Sequence, residues 1–323
     1  MYSGYITAVN GIKVGHAQDF EALTGVTVIL PPEGTVCGVD VRGGAPGTRE
    51  TDLLRPENFV SNVNAILLAG GSAFGLDAAG GVMKYLEDNG IGLDTGVAKI
   101  PIVPASVIFD LICGSSNVRP DFEMGYRACE EATINEKRQG LVGAGTGATV
   151  GKILGKDYAM KSGLGSATIR VGELVVSALT VCNAFGDIFD HERKIKIAGC
   201  YDYKNKEFKS TIEILKNMGS DFSAFNQGKN TTISVVATNG TFNKSECKKI
   251  SSMAHNGYGN SIFPVHTMSD GDTIFTLATG EIPADVSLVG ALASQVIGRA
   301  VANSIYYSQS KGGFISNSDL NRE

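Results

Sequence analysis

The sequence predicts an α/β fold, a single domain over residues 1–323 with strands and helices packed in two or more layers. Three observations lead there. β-Branched runs bounded by Gly, Asn or Pro recur along the chain and alternate with apolar positions at helical spacing. The 323 residues are 43% hydrophobic and 19% charged, enough to close a large core. The 41 glycines exceed the usual share of roughly 7%. They sit at the ends of these runs, where tight turns and close backbone approaches need them.

In chain order, "GIKVGHA", "GVTVILPP", "TVCGVDVRGG" and "NAILLAGG" read as strands separated by turns. A helix is predicted over Ser72–Leu86, with Phe74, Leu76, Val82, Met83 and Leu86 as its apolar face, three internal glycines against it and "DNG" as its stop. "AKIPIVPASVIFDL" carries Pro101 and Pro104 and reads as an edge strand or extended run. A second helix is predicted over Met124–Arg138, followed by strands "ATIRVG", "LVVSALTVCNA" and "TTISVVATN". A polar insert, "DIFDHERKIKIAGCYDYKNKEFKS", precedes the helix "TIEILKNMG". Asn243 or Ser245 caps the next helix, "NKSECKKISSMAHNGYG". The longest helix runs from about Pro283 to Tyr307, and the tail "SKGGFISNSDLNRE" is polar and reads as loose.

Several function classes are disfavoured. A net charge of −5 without a basic stripe argues against a nucleic-acid partner. The N-terminal segment lacks the pattern of a secretory signal. Gln295, Arg299 and Asn303 interrupt the longest apolar helix, which reads as a core helix and not a membrane span. Six cysteines without a C-x-x-C pair fit reduced thiols and a cytoplasmic location. The four histidines have no zinc-ligand spacing. "GAGTGATVGK" satisfies neither the dinucleotide nor the P-loop pattern, so glycine-rich packing explains it better, Lys152 included. "AGGSAFG" lacks the second glycine of a nucleophile elbow, leaving Ser72 as a helix N-cap.

The junction Asn230-Thr231 opens the strand "TTISVVATN" with a polar amide and a β-branched hydroxyl. It is either a turn exit or a bond that is cut to make a catalytic amine. A freed N-terminal Thr does two jobs. Its hydroxyl attacks an acyl carbon, and its α-amine, of reference pKa about 7.7–8.0, takes the proton without a histidine.

Long ordered blocks favour the second. "VRGGAPGTRETDLLRPE", "NAILLAGGSAFGLDAAGGVMKYLE", "PIVPASVIFDL", "KSGLGSATI", "VCNAFGDI", "NTTISVVATN" and "SDGDTIF" span nearly the whole chain. With them the chain resembles the self-processing aminopeptidases of the L-aminopeptidase/D-esterase type, a family that includes β-peptidyl aminopeptidases and nylon-oligomer hydrolases. The resemblance implies a four-layer α-β-β-α sandwich of N-terminal-nucleophile type, self-cleaved into residues 1–230 and 231–323. It implies Thr231 as nucleophile, Asn230 as the residue before the cut, Asn183 as an oxyanion-holding amide and Lys161 as a lysine near the nucleophile. Asp270 and Asp272 match a carboxyl pair that is Ser and Glu in the aminopeptidase branch, so the sequence leans toward the nylon-hydrolase pattern. Some members add a tyrosine from the middle of the chain; Phe109 stands in "VIFDL" and Tyr126 lies nearby in sequence, which leaves that phenol unplaced. The implied reaction is amide hydrolysis through an acyl-enzyme on Thr231, with no metal and no cofactor. Substrates would be peptides, β-peptides, amino-acid amides or esters, or ω-amino-acid oligomers, and the assembly a homotetramer.

On the residues themselves, the i, i+2 spacing of Asp270 and Asp272 puts both side chains on one face of an extended segment. "SDGDT" reads as turn-like and partly exposed, able to orient Thr231, with Lys161 holding one carboxylate ionised. His255 and His266 fall outside this proposed site. The competing reading is an uncut binding or structural protein on the same fold.

Overall fold

The computed structural model describes residues 1–219 and 230–320. Its centre is two five-stranded sheets. The first takes its strands in the spatial order Lys13–Asp19, Thr24–Leu30, Ile66–Ala69, Ala105–Val107, Thr48–Arg49. The second runs Leu164–Val171, Leu174–Asn183, Thr231–Thr241, Thr273–Pro283, Val36–Val41. Six helices are described: α1 (Ala78–Asp88), α2 (Phe122–Glu130), α3 (Thr211–Met218), α4 (Lys244–Ser261), α5 (Val286–Tyr306) and α6 (Asn317–Leu320).

Side-chain alternation along the strands builds the layers. In Thr231–Thr241, Ile233, Val235 and Ala237 point into a core shared by both sheets, with Ile29, Ile66 and Leu68 facing them from the first. Val236 points the other way, into the core beneath α4 and α5, with Ile250, Ala254, Val296 and Ile297. On the far side, Val26, Val28 and Leu67 pack against Ala79 and Val82 of α1 and Met124 and Ala128 of α2. The layers therefore run helices, sheet, sheet, helices, as the resemblance implied. α5 is long and apolar enough to cross a membrane by composition, yet it packs on the second sheet with Val296, Ile297, Ala300 and Val301 fully buried.

Local chemistry explains where the sequence reading holds and where it fails. Asn243 caps α4 in a reciprocal capping box with Glu246. The helix expected over Met124–Arg138 is instead Phe122–Glu130. Asp121 starts it by accepting from Met124 N. Past Glu131 the chain bridges Thr133 to Val14, and the Glu136 carboxylate takes the Arg138 N–H and guanidinium, contacts a continuing helix would forbid. The helix expected from Ser72 opens as a 3-10 segment, Ser72–Asp77, before α1. Ser72 has φ of 56°, the left-handed region, and makes no capping bond; Gly75 is pressed against Gly70 O, leaving no space for a Cβ. The segment with Pro101 and Pro104 starts outside the central sheets, with Lys99–Ile100 paired to Leu93–Asp94 in a two-stranded sheet, and enters the first sheet as Ala105–Val107 only after both prolines. The polar insert folds as two hairpins, Asp187–Asp190 with Ile195–Ala198 and Tyr201–Asp202 with Glu207–Phe208. The tail is anchored through residue 320. Phe314 is buried, Lys161 N donates to Ile315 O, and α6 follows; residues 321–323 of that tail lie outside the described residues.

Candidate active site

Strand direction gathers the site. Thr231–Thr241 runs parallel to Thr273–Pro283, so the segments leading into both strands meet at one end of the second sheet. The antiparallel neighbour on the other flank finishes there, with Asn183 opposite Thr231. Val36–Val41 also finishes there, with Val41 opposite Thr273. Four residues distant in sequence thus share one sheet end: Asn183, Thr231, Asp270 and Asp272.

The chain is continuous through Asn230-Thr231, and the junction is buried, each residue 5% exposed. Asn230 bridges Asp270 in parallel: its N–H donates to Ser269 O at 3.3 Å, and its carbonyl accepts Gly271 N–H at 3.1 Å. The Thr231 hydroxyl Oγ1 lies against that same carbonyl. Asn230 Oδ1 is buried and finds no hydrogen-bond donor among the described residues. Gly271 has to be glycine, because a Cβ there would sit 2.8 Å from Ala45 O and 2.9 Å from Thr231 Oγ1. The loop after Val41 straps this turn: Arg42 N and Ala45 N donate to Asp272 O and Asp270 O, at 2.9 and 2.8 Å.

The carboxylates are buried, 2% exposed for Asp270 and 1% for Asp272, where the sequence suggested a partly exposed turn. Both carboxylates turn to the same loop, accepting from the consecutive N–H groups of His266 and Thr267. Asp272 Oδ1 accepts Thr232 N at 2.8 Å, and its Oδ2 meets both His266 N at 3.1 Å and His266 Nδ1 at 2.8 Å. Asp270 Oδ2 accepts Thr267 N at 2.9 Å and the Thr267 hydroxyl. The backward-folded loop thus holds both carboxylates, and Asp272 alone also reaches the nucleophile strand. Burial, and then the like charge of Asp272, raise the Asp270 carboxyl to about 7. His266, excluded by the sequence reading, belongs to this cluster, and its ring packs on His255 at 4.8 Å between centroids. Burial lowers His255 to about 4, so it is neutral beside the site.

The lysine expected near the carboxylates is also different. Lys161 is fully buried, but its ammonium donates to Ala148 O at 2.7 Å and Ser162 O at 3.0 Å, and the acid it faces is Asp110. Lys152 reaches the site instead. Its Nζ donates to Asn183 Oδ1 at 2.8 Å and Asn183 O at 3.0 Å, and it shares an electrostatic interaction with Asp270. Burial lowers both ammonium groups to about 8. Asn183 Oδ1 also accepts Thr149 N at 3.1 Å, and its Nδ2 donates to Phe109 O at 3.0 Å, leaving one N–H for a ligand. Tyr126 lies elsewhere, on α2 with its ring against Tyr85 of α1, and Phe109 contributes a backbone carbonyl.

The signals for the missed residues are thin. Lys152 stood out only as a failed P-loop lysine, and the pairing of Thr149–Val150 with Met160–Lys161 that aims it inward is not written in local pattern. His266 lies four residues before Asp270, near enough for a tight turn to fold it back.

An α-β-β-α sandwich that brings a strand-opening hydroxyl, an amide and two carboxylates to one sheet end is the frame of an N-terminal-nucleophile-type peptidase or amidase. The profile of peptidase family S58 matches residues 4–317, and the chain belongs to that family. An uncharacterised aminopeptidase of Mycobacterium bovis is 41% identical, the alignment covering 98% of this chain and 97% of that protein. A 6-aminohexanoate-oligomer endohydrolase of Kocuria sp. is 33% identical over 90% of this chain and 83% of its own. Among solved structures, the L-aminopeptidase D-Ala-esterase/amidase of Ochrobactrum anthropi is described as a new variant among the Ntn hydrolase fold. It matches with a TM-score of 0.74 at 17% identity, over 98% of this chain and 92% of that one, and the fold is the same.

Proposed function

We propose that the protein is a self-cleaving amide hydrolase whose nucleophile is Thr231. The observation that carries this reading is the Asn230 carbonyl, which has a hydroxyl, Thr231 Oγ1, against it and an N–H, from Gly271, on its oxygen. The hydroxyl donates to the oxygen of the same carbonyl whose carbon it would attack in an intramolecular acyl shift. Oγ1 attacks the Asn230 carbonyl carbon while Gly271 N–H holds the developing oxyanion. The C–N bond breaks as the Thr231 nitrogen takes a proton, leaving an ester. Water then hydrolyses the ester to an Asn230 carboxylate and a free Thr231. Asn230 Oδ1, unpartnered in the uncut chain, adds about 1–3 kcal/mol of unmet desolvation that release of the new C-terminus relieves.

In the cut protein, the Gly271 N–H and the remaining Asn183 N–H are free for a substrate carbonyl. The Thr231 amine takes the hydroxyl proton, Oγ1 forms the acyl ester, the proton passes to the leaving amine, and water completes the cycle. Short peptides, β-peptides, aminoacyl amides or esters and ω-amino-acid oligomers are the substrate class, supported by the aminopeptidase and 6-aminohexanoate-oligomer hydrolase relatives. A cytoplasmic homotetramer completes the proposal.

The test is a panel of these amides assayed against pH. The α-amine loses its proton near its reference value of about 7.7–8.0, shifted down by the Lys152 cation and up by Asp270 and Asp272. The Asp270 carboxyl, raised to about 7, ionises in the same range. The deprotonated form is the working form of the amine, so kcat/KM is expected to rise from pH 6 to pH 8. No turnover of any panel member, or a rate that falls across this window, contradicts the reading.

Gly271→Ala checks the same geometry. Its methyl displaces Thr231 Oγ1 or the Ala45 carbonyl while the N–H remains. A displacement of this kind is expected to slow both chain cleavage and turnover by about tenfold to about 10²-fold. Cleavage followed by gel and kcat measured on the folded variant check it; unaltered rates in both would show that the contact does not matter.

A further inference from the structure

His266 and Thr267 are consecutive, and each meets one carboxylate of the site with two groups. The His266 N–H and ring Nδ1 both reach Asp272 Oδ2, at 3.1 and 2.8 Å. The Thr267 N–H, at 2.9 Å, and the Thr267 hydroxyl both donate to Asp270 Oδ2. The backbone is left-handed at His266, with φ of 58°. Turns of this kind aim successive N–H groups into one concavity that suits anions. Few side chains adopt that φ, and His is among the enriched types, with Asn and Asp. A carboxylate oxygen only accepts, so the ring donates from Nδ1, which fixes its tautomer. The ring is braced edge-on against His255, 4.8 Å between centroids and 71° between planes, and lies 6.1 Å from the Tyr258 ring. His255 is itself held by a 3.0 Å bond from Nε2 to Asp40 O.

We propose that His266 is a positioning residue for this reaction: its ring, by holding Asp272 Oδ2, keeps Oδ1 turned onto Thr232 N and so fixes the strand step that carries Thr231. The assignment rests on the reading of Thr231 as nucleophile. The last torsion of an aspartate side chain is broad, so one bonded oxygen does not set the direction of the other. Asp272 meets three donors: Thr232 N on Oδ1, and the His266 N–H and ring on Oδ2. The ring makes the shorter of the two bonds on Oδ2, and with it the carboxylate plane has no second setting that keeps all three. Thr232 N is then held at 2.8 Å, and the residue bonded to it, Thr231, keeps its hydroxyl against the Asn230 carbonyl. In the cut protein the same hold aims the hydroxyl at a substrate carbonyl, with no reorganisation needed as the reaction proceeds. The ring acts here as a neutral donor through Asp272; the proton of the hydroxyl goes to the Thr231 amine.

The variants His266→Gly, His266→Asn and His266→Gln decide it, with Thr231→Ala alongside. Glycine takes the left-handed backbone at no steric cost and keeps the N–H, so it removes the ring alone. Asparagine also tolerates that backbone, and its NH₂ stands where the ring carries Nδ1. Glutamine sets its NH₂ one bond farther out. In His266→Gly, kcat is expected to fall about tenfold to about 10²-fold, the scale for a displaced reacting group. KM should hold, because the ring does not touch substrate. His266→Asn should recover most of the rate and keep the rise in kcat/KM from pH 6 to pH 8, and His266→Gln should stay impaired. If a variant remains uncut, the rate of chain cleavage is the same readout on the Asn230 carbonyl. If His266→Gly does not fold, the Asn and Gln pair gives the same comparison, with melting curves for each. A wild-type kcat in His266→Gly or His266→Gln overturns the proposal. So does a loss that Asn fails to recover, a change confined to KM, or a loss that only tracks a fall in melting temperature. A pH rise that vanishes in His266→Asn overturns it too, since the imidazole would then be the base. An active Thr231→Ala would sink the nucleophile reading instead. An inactive Thr231→Ala beside an unimpaired His266→Gly removes His266 alone.

Discussion

Thr231→Ala is expected to accumulate as one uncut 33.8 kDa chain with no measurable amide hydrolysis. Two losses combine in it. The hydroxyl lying against the Asn230 carbonyl is gone, so the junction is not cut. Because the junction is not cut, no α-amine appears to serve as base. Removing a residue that is nucleophile and source of the base together leaves only binding and oxyanion stabilisation, and losses of about 10⁴–10⁶-fold in kcat are the scale for such removals. The fold should persist, since the alanine keeps its place opposite Asn183 and the strand's core contacts begin at Ile233. A gel, a melting curve and a rate on the best substrate of the panel check all three. A Thr231→Ala protein that splits at Asn230 would mean another group cuts the chain.

Asp272→Ala has the second largest expected effect, and it acts on stability and rate together. From sequence alone the acidic pair reads as a partly exposed turn whose loss impairs turnover more than folding. The structure reverses that expectation for Asp272. Its carboxylate joins the second residue of the nucleophile strand, through Thr232 N, to the loop that carries His266. Alanine leaves two backbone N–H groups without an acceptor, at about 1–3 kcal/mol each, so a loss of roughly 2–6 kcal/mol in unfolding free energy is expected. Freed from Asp272, Thr232 shifts, and Thr231 shifts with it. A displacement of about 1 Å at a reacting atom is worth about 10²-fold in rate. Asn is no remedy. Its oxygen can accept Thr232 N, but its NH₂ then confronts the His266 N–H. Urea titrations with kcat/KM on the folded fraction check this, and wild-type values in both would remove Asp272 from the account.

How much of this was legible follows from what each element depends on. The strand Thr231–Thr241 and the cap of α4 are local properties: β-branched composition in one case, Asn243 with Glu246 in the other. Both were readable. The layer order, and the gathering of Asn183, Thr231, Asp270 and Asp272, came from the family resemblance, since no local pattern states that Thr231–Thr241 pairs in parallel with Thr273–Pro283. Side-chain direction was the least legible. Lys152 and Lys161 lie nine positions apart, on neighbouring paired segments, and only the pairing decides which ammonium turns to Asn183 and which to Ala148. His266 carries no metal-ligand spacing to mark it, because its partner is a carboxylate six residues on. The helix over Met124–Arg138 failed for a similar reason, because its second half is claimed by Val14 and by the carboxylate of Glu136.

The central claim is that the bond between Asn230 and Thr231 is cut by the chain's own hydroxyl, and intact mass with N-terminal sequencing of the purified protein tests it most directly. The account predicts two polypeptides that remain associated under native conditions, one ending at Asn230 and the other beginning with a free Thr231. An active preparation made of a single unbroken chain, or one cut at any other bond, would contradict it.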